Sequence, residues 1–114
     1  MPATDPTEVS ADAAAELLDG DGLLLDVREK DEWDAGHAPQ AVHLAMSELA
    51  GRAGEIPRDQ PILCVCHVGG RSAAVVAALN RAGWDAYNLT GGMAAWASAG
   101  LPVVRDDGSP GTVI

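Results

Sequence analysis

One stretch, residues 62–79, restricts the possible folds more than any other part of the sequence, because it changes character twice. Its apolar start, residues 62–65, predicts a short buried strand. Residues 72–79 are too long and too rich in alanine to continue that strand, and they predict a helix. Cys66 stands where the strand ends, and the paired glycines that follow allow positive φ and a close backbone approach to an anion. We therefore expect a strand, a loop and a helix, with a thiol facing backbone amides.

Strand and helix signals alternate along the rest of the chain. Strands are predicted at residues 7–9, 23–27, 41–44, 62–65 and 84–89. Helices are predicted at residues 11–18, 28–35, 48–53 and 71–82, and after the turn at 90–92. Ser10 and Ser47 are suited to cap two of these helices. Residues 23–25 form a continuous apolar run, typical of a strand covered on both faces, so the sequence predicts an α/β fold with a parallel sheet.

The chain has the size of one domain, with 114 residues and no internal repeat. We assign residues 1–104 to this domain. Residues 105–114 contain acidic residues, glycine and proline, and they predict a mobile tail. The helix at 71–82 is apolar on almost every side, which predicts burial against the sheet.

A net charge of -10 argues against nucleic acids and anionic membranes as partners, since both are bound by clustered lysine and arginine. No apolar stretch is long enough to span a bilayer, and the first residues do not resemble a secretion signal. Cys64 and Cys66 are two apart in an extended chain, a poor geometry for a disulfide. We expect free thiols and a cytoplasmic location.

Nucleophilic sulfur chemistry would need Cys66 as a thiolate, and an ordinary thiol is only about 3 % ionised at pH 7. A pKa lower by about two units, equivalent to about 2.7 kcal/mol, would make the thiolate the main form. A helix N-terminus with a nearby arginine can supply this, and Arg71 follows Cys66 after four residues. Arg71 would either orient the substrate or brace the loop.

Other interpretations of the cysteines stay open on the local pattern. Cys66 could be an inert buried residue, as free cysteines often are. Cys64 lies inside the predicted strand and is interpreted as core. A metal site on this pair would need further ligands from the histidines at 37, 43 and 67, whose spacing matches no familiar zinc arrangement. We predict neither a metal nor a cofactor.

The remaining polar candidates are interpreted mainly as structural. His37 and His43 have the positions of hydrogen-bonding residues in a turn and a weak strand. His67, beside Cys66, either contacts substrate, stabilises the thiolate electrostatically or is an exposed bystander. Asp26 at a strand end and the nearby Arg28 are expected to anchor neighbouring loops through buried hydrogen bonds.

Three segments together resemble the single-domain rhodaneses, a family of sulfurtransferases. The first runs Leu-Leu-Asp-Val-Arg-Glu at 24–29, continues with Glu-Trp at 32–33 and ends with Gly-His-Ala-Pro at 36–39. The second is the loop at 66–72. The third is Asn-Leu-Thr-Gly-Gly at 88–92, followed by Ala-Trp at 95–96. Three motifs in the family's order, spanning most of the chain, are more specific than any one alone.

The resemblance implies a rhodanese-like fold, with a central, mainly parallel five-stranded sheet and helices on both faces. It also implies transfer of sulfane sulfur from a small anionic donor such as thiosulfate to a thiophilic acceptor, cyanide or a thiol. The sulfur would be carried as a persulfide on Cys66, with Arg71 as the second catalytic residue. The substrate-binding loop would comprise His67, Val68, Gly69, Gly70 and Ser72.

The sequence departs from the family pattern at a few positions. Ala38 and Gln40 replace the usual isoleucine and glycine of the first motif. His67 and Val68 stand where many members carry more polar or more basic residues, which bears on the choice of donor. A second hypothesis follows, in which the domain carries a persulfide delivered by a partner protein of a sulfur relay.

Loop length separates the nearest rival activities. Related phosphatases and arsenate reductases place their arginine after five residues, whereas four residues separate Cys66 from Arg71 here. Phosphatase or arsenate reductase activity therefore ranks below sulfur transfer.

Overall fold

The computed structural model describes residues 7–114. Its strands are β1 Glu8–Val9, β2 Leu23–Asp26, β3 Val42–His43, β4 Ile62–Val65 and β5 Ala86–Leu89. Its α-helices are α1 Ala11–Asp19, α2 Lys30–Ala35, α3 Leu49–Arg52, α4 Gly70–Arg81 and α5 Gly92–Ser98. Short 3-10 turns at Met46–Glu48 and Ala53–Glu55 flank α3.

The strands form one sheet in the order β1-β5-β4-β2-β3, and every neighbouring pair is parallel. The prediction of an α/β fold with a five-stranded parallel sheet is therefore confirmed. β4 lies in the middle, with Cys64 in register with Leu25 of β2 and Asn88 of β5. A residue that follows β4 thus stands at the centre of the sheet's carboxyl edge, where open α/β sheets place their ligands.

Both faces of the sheet are covered, as the continuous apolar runs predicted. One apolar cluster joins the sheet to α3 and α4 and includes Leu25, Cys64 and Val76. The other joins the opposite face to α1 and α5 and includes Leu24, Leu63 and Trp96. Neighbouring residues of one strand fall into different clusters because side chains alternate across a sheet. No helix in residues 7–114 is long and apolar enough to cross a bilayer.

Helix α4 differs from its prediction in where it begins. It begins at Gly70, one residue before the earliest predicted start. The predicted burial against the sheet is confirmed, and it involves one side of the helix, with Ser72, Val75, Val76 and Leu79. The alanines of the other side are exposed, namely Ala73, Ala74, Ala77 and Ala78. Alanine covers this solvent side because it is a strong helix former, and not because that side is packed.

The predicted helix at residues 48–53 is shorter and more irregular than expected. Its α-helical part is only Leu49–Arg52, between the two 3-10 turns. The predicted cap by Ser47 is wrong, because Ser47 lies inside the first turn and its hydroxyl donates to Glu29 Oε1 at 2.8 Å. This bond ties the segment after β3 to the start of α2.

The C-terminal segment lies against the body. Val104 forms bridges with His37 and with Pro110, and the Thr112 amide donates to the Ala35 carbonyl at 2.9 Å. Gly36 permits this close approach, because a Cβ there would lie 2.6 Å from the Thr112 nitrogen. The mobility of residues 105–114 stays a prediction, and these contacts oppose it.

Candidate active site

Cys66 lies directly after β4, and its sulfur faces the start of α4. Gly69, the residue before α4, has φ of +108°, a left-handed conformation that lets the chain turn into the helix within three residues. The paired glycines predicted this turn, but only Gly69 has a positive φ. Gly70 is the first helical residue, and a Cβ there would meet no atom within 4 Å.

Three hydrogen-bond donors converge on the Cys66 Sγ. The Gly69 amide lies 3.2 Å from the sulfur, the Ser72 amide 3.4 Å and the Ser72 hydroxyl 3.2 Å. Cys66 itself is only 1 % exposed. The thiol predicted to face backbone amides does so, and a charge on its sulfur would be held mainly by protein donors rather than by water.

The two cysteines have opposite acidities. Burial raises the pKa of Cys66, but the hydrogen bonds from the Ser72 hydroxyl and from the amides of Ser72 and Gly69, with a smaller contribution from the nearby Arg71 amide, outweigh it, so this pKa lies below the ordinary value. Burial, with a smaller contribution from the Cys66 charge, raises the pKa of Cys64 to about 12. Both thiols are free. Of the two thiols, Cys66 is therefore the one that ionises more readily.

Asn88 of β5 fixes the side chain that donates to the sulfur. Its Oδ1 accepts from the Ser72 hydroxyl at 2.5 Å, while its Nδ2 donates to the Gly69 carbonyl at 3.1 Å and to Glu8 Oε2 at 3.0 Å. A hydroxyl has one proton, so Ser72 donates to Asn88 or to the sulfur, and a negative sulfur is the stronger acceptor. The Ser72 hydroxyl can therefore donate to the sulfur when Cys66 is ionised and to Asn88 when it is not.

Helix α5 is hydrogen-bonded to the backbone of the loop that follows β4. The amides of Met93 and Ala94, in its first turn, donate to the carbonyls of Cys66 and His67 at 2.8 and 3.0 Å. Gly92, with φ of +59°, brings the helix this close, because a Cβ there would collide with the Cys66 carbonyl oxygen and lie 2.5 Å from that of His67. The amides of Gly69 and Ser72 are thereby left aimed at the sulfur.

Arg71 is held by a carboxylate beside the loop. Its Nη1 and Nη2 donate to Glu32 Oε1 and Oε2, each at 2.7 Å. Glu32 belongs to α2, and its Oε1 also accepts from the Glu29 amide at 3.2 Å. Of the two predicted roles of Arg71, this geometry favours bracing the loop.

Asp26 and Arg28 form a fully buried ion pair at 2.8 Å. Arg28 Nη2 also donates to the Gly36 carbonyl at 2.7 Å, which links the residues before and after α2. The pair therefore holds the segment from which Glu32 reaches Arg71. Their supporting role in the site, predicted from the sequence, stays a prediction.

His37 and His43 lie together beside Trp33, away from the sulfur's own contacts. The rings of Trp33 and His37 stack with centroids 3.6 Å apart, and His43 Nε2 donates to the Arg28 carbonyl at 2.7 Å. Both histidines are hydrogen-bonded, as predicted. In residues 7–114 no group of three or more His, Cys, Asp or Glu side chains could hold a metal ion.

The side chains of His67 and Val68, which we call the loop mouth, are more exposed to solvent than the Cys66 sulfur. His67 is half-buried, and Val68 is 65 % exposed. Sequence reasoning gave no role to Asn88 or Glu32, although both lie in motifs that carry the family resemblance. A polar residue in the otherwise buried β5 was the available signal for Asn88.

Comparison with known proteins agrees with this architecture. The sequence model of the rhodanese-like domain matches residues 10–99. The chain is 39 % identical over 89 residues to a protein named sulfurtransferase from Allochromatium vinosum, covering 77 % of this chain and 83 % of that one. A rhodanese-related protein from Thermoplasma volcanium superposes with a TM-score of 0.82 at 30 % identity, covering 87 % and 98 % of the two chains.

Similar sequence also occurs inside a larger protein. The chain is 35 % identical over 88 residues to a tRNA sulfurtransferase from Desulfurococcus amylolyticus, covering 77 % of this chain but 17 % of that protein. A unit of this size is therefore found both as most of a protein and as a small part of one.

Proposed function

The chain belongs to the rhodanese-like domain family, and from that premise we propose that it is a sulfurtransferase that carries sulfane sulfur as a persulfide on Cys66. The observation that carries the proposal is the convergence of the Gly69 amide, the Ser72 amide and the Ser72 hydroxyl on one sulfur atom. Such a group of fixed donors stabilises an anion without having to reorganise during the reaction.

The reaction would proceed in two steps. In the first, the Cys66 thiolate attacks the outer sulfur of a donor such as thiosulfate, a bond to Cys66 forms, the donor's S–S bond breaks and sulfite leaves with the electron pair. In the second, an acceptor such as cyanide or a thiolate attacks the outer sulfur of the persulfide. The Cys66 thiolate is then the leaving group, and the same amides stabilise it again.

Loading by a protein partner is a second candidate, and the burial of Cys66 favours it. At 1 % exposure Cys66 is almost completely covered, and a partner protein that moves the loop on binding would uncover it. The relation to part of a tRNA sulfurtransferase also supports operation beside other domains. A cytoplasmic location, where both thiols would stay reduced, remains a prediction.

The proposal is tested by weighing the intact protein after incubation with thiosulfate, methanethiosulfonate or an alkyl persulfide. We expect a mass increase of one sulfur atom, which cyanide then removes as thiocyanate, because the thiolate accepts sulfur and releases it to a thiophile. The control is protein whose Cys66 was alkylated beforehand, which should gain nothing. No sulfur taken from any of the three donors would contradict the proposal.

A further inference from the structure

Resting on the proposed sulfur transfer, we propose that Glu32 sets the donor class: by occupying Arg71, it favours sulfane donors with at most one negative charge over dianionic thiosulfate. The chemistry of Cys66 is the same for both classes. What differs is the electrostatic cost of bringing the donor to the loop mouth. Glu32 is thus a specificity-determining residue and takes no part in the bond changes.

The first step is that the charge of Arg71 is already neutralised. Both of its terminal nitrogens donate to Glu32 at 2.7 Å, an arrangement in which one carboxylate takes the donor pair that an anionic substrate would use. Glu32 is charged at neutral pH, since its hydrogen bonds from Arg71 outweigh its burial and lower its pKa. An incoming anion would have to displace a carboxylate that the protein holds permanently.

The second step is that Glu32 is fixed and cannot swing aside freely. It is the third residue of α2, where its side chain accepts from the Glu29 amide and the Glu29 side chain in turn binds a backbone amide, a reciprocal cap of the helix. The Glu32 side chain is 16 % exposed. Releasing Arg71 would cost the ion pair and disturb this cap as well.

The third step is the balance of charge near the loop. The negative charge of Glu29 lies near enough to Arg71 to contribute to the raised pKa of its guanidinium. Glu8 accepts a hydrogen bond from the Asn88 amide, which also donates to the Gly69 carbonyl. The buried Arg28 is already paired with Asp26. Three carboxylates, those of residues 8, 29 and 32, thus face one guanidinium group, that of Arg71, and the remaining negative charge repels a dianion more than a monoanion.

Methanethiosulfonate isolates this effect, because it offers the same sulfane sulfur bonded to a sulfonyl sulfur with one negative charge instead of two. The Cys66 thiolate attacks the outer sulfur, the S–S bond breaks, and methanesulfinate leaves with the electron pair. With thiosulfate the leaving group is sulfite. In both reactions sulfur is transferred without a net oxidant or reductant, and Cys66 ends as the persulfide.

The experiment compares kcat/KM for methanethiosulfonate and thiosulfate in the wild type, in Glu32→Gln and in Asp34→Asn. Glutamine keeps the oxygen that accepts from the Glu29 amide but removes the charge. We expect the preference for methanethiosulfonate to fall by about ten-fold in Glu32→Gln, mainly through a lower KM for thiosulfate. Asp34→Asn removes an exposed carboxylate of the same helix, paired with Lys30, and should leave the ratio unchanged.

A second measurement needs no variant. If carboxylates repel the dianion, added salt should raise kcat/KM for thiosulfate relative to methanethiosulfonate in the wild type. An unchanged donor ratio in folded Glu32→Gln, or a fall of the relative thiosulfate rate with salt, would overturn the role of Glu32 while sulfur loading on Cys66 still stood. Failure of every donor to load the wild type would instead overturn the proposed function.

Discussion

Replacing Cys66 by serine should abolish sulfur loading, so that incubation with a sulfane donor leaves the mass of the variant unchanged. The serine hydroxyl is not ionised at neutral pH and does not attack the sulfane sulfur. No persulfide then forms, so there is no sulfur to pass to an acceptor. The change is nearly isosteric and keeps the Gly69 and Ser72 amides in place. Intact mass measurement after incubation with donor gives the result directly.

The matched control is Cys64→Ala, two residues earlier on β4. Cys64 is fully buried, and burial raises its pKa to about 12, so it should hold no thiolate at neutral pH. We expect this variant to load sulfur as the wild type does, with a loss of about 1 kcal/mol in unfolding free energy from the smaller side chain. Normal loading of Cys66→Ser, or loss of loading only in Cys64→Ala, would show that the carrier is misassigned.

Gly92→Ala should cost about 3 kcal/mol or more of unfolding free energy, well above an average substitution. A Cβ at this position would collide with the Cys66 carbonyl oxygen and lie 2.6 Å from the His67 carbonyl carbon, so α5 must move away from the loop. The hydrogen bonds from Met93 and Ala94 to that loop would then lengthen or break. Urea unfolding monitored by tryptophan fluorescence measures the loss.

Gly100→Ala separates crowding from backbone strain. Gly100 has φ of +78°, also left-handed, but a Cβ there would meet no atom within 4 Å. It should therefore cost only the strain of a left-handed non-glycine residue, about 1–2 kcal/mol. Equal losses in the two variants would mean that α5 does not clamp the loop through Gly92.

The parts of the fold that were predicted correctly depend on local patterns. The continuous apolar runs of β2 and β4 indicated a sheet covered on both faces, and Ser10 and Gly20 marked the limits of α1. Cys66 could be placed at the edge of the sheet because strand, short turn and helix follow one another directly. Such signals need only neighbouring residues, so one sequence contains them.

The parts that were missed depend on partners far apart in the chain. Glu32 and Arg71 are 39 residues apart, and nothing in either local segment indicates that they meet. The docking of the C-terminal segment depends on Gly36, whose missing side chain admits Thr112. Which alanines of α4 face solvent could not be predicted either, since alanine suits both a buried and an exposed helix face.

The proposed function depends on hydrogen-bond donors that stabilise the Cys66 thiolate. The pH dependence of Cys66 alkylation by iodoacetamide tests this stabilisation most directly. Because Cys64 stays protonated, the rate reports Cys66 alone, and it should rise with pH around a midpoint below that of an ordinary exposed thiol. In Ser72→Ala, which removes one of the three donors, the midpoint should move upward. A wild-type midpoint at or above the ordinary value, unmoved in Ser72→Ala, would contradict the thiolate.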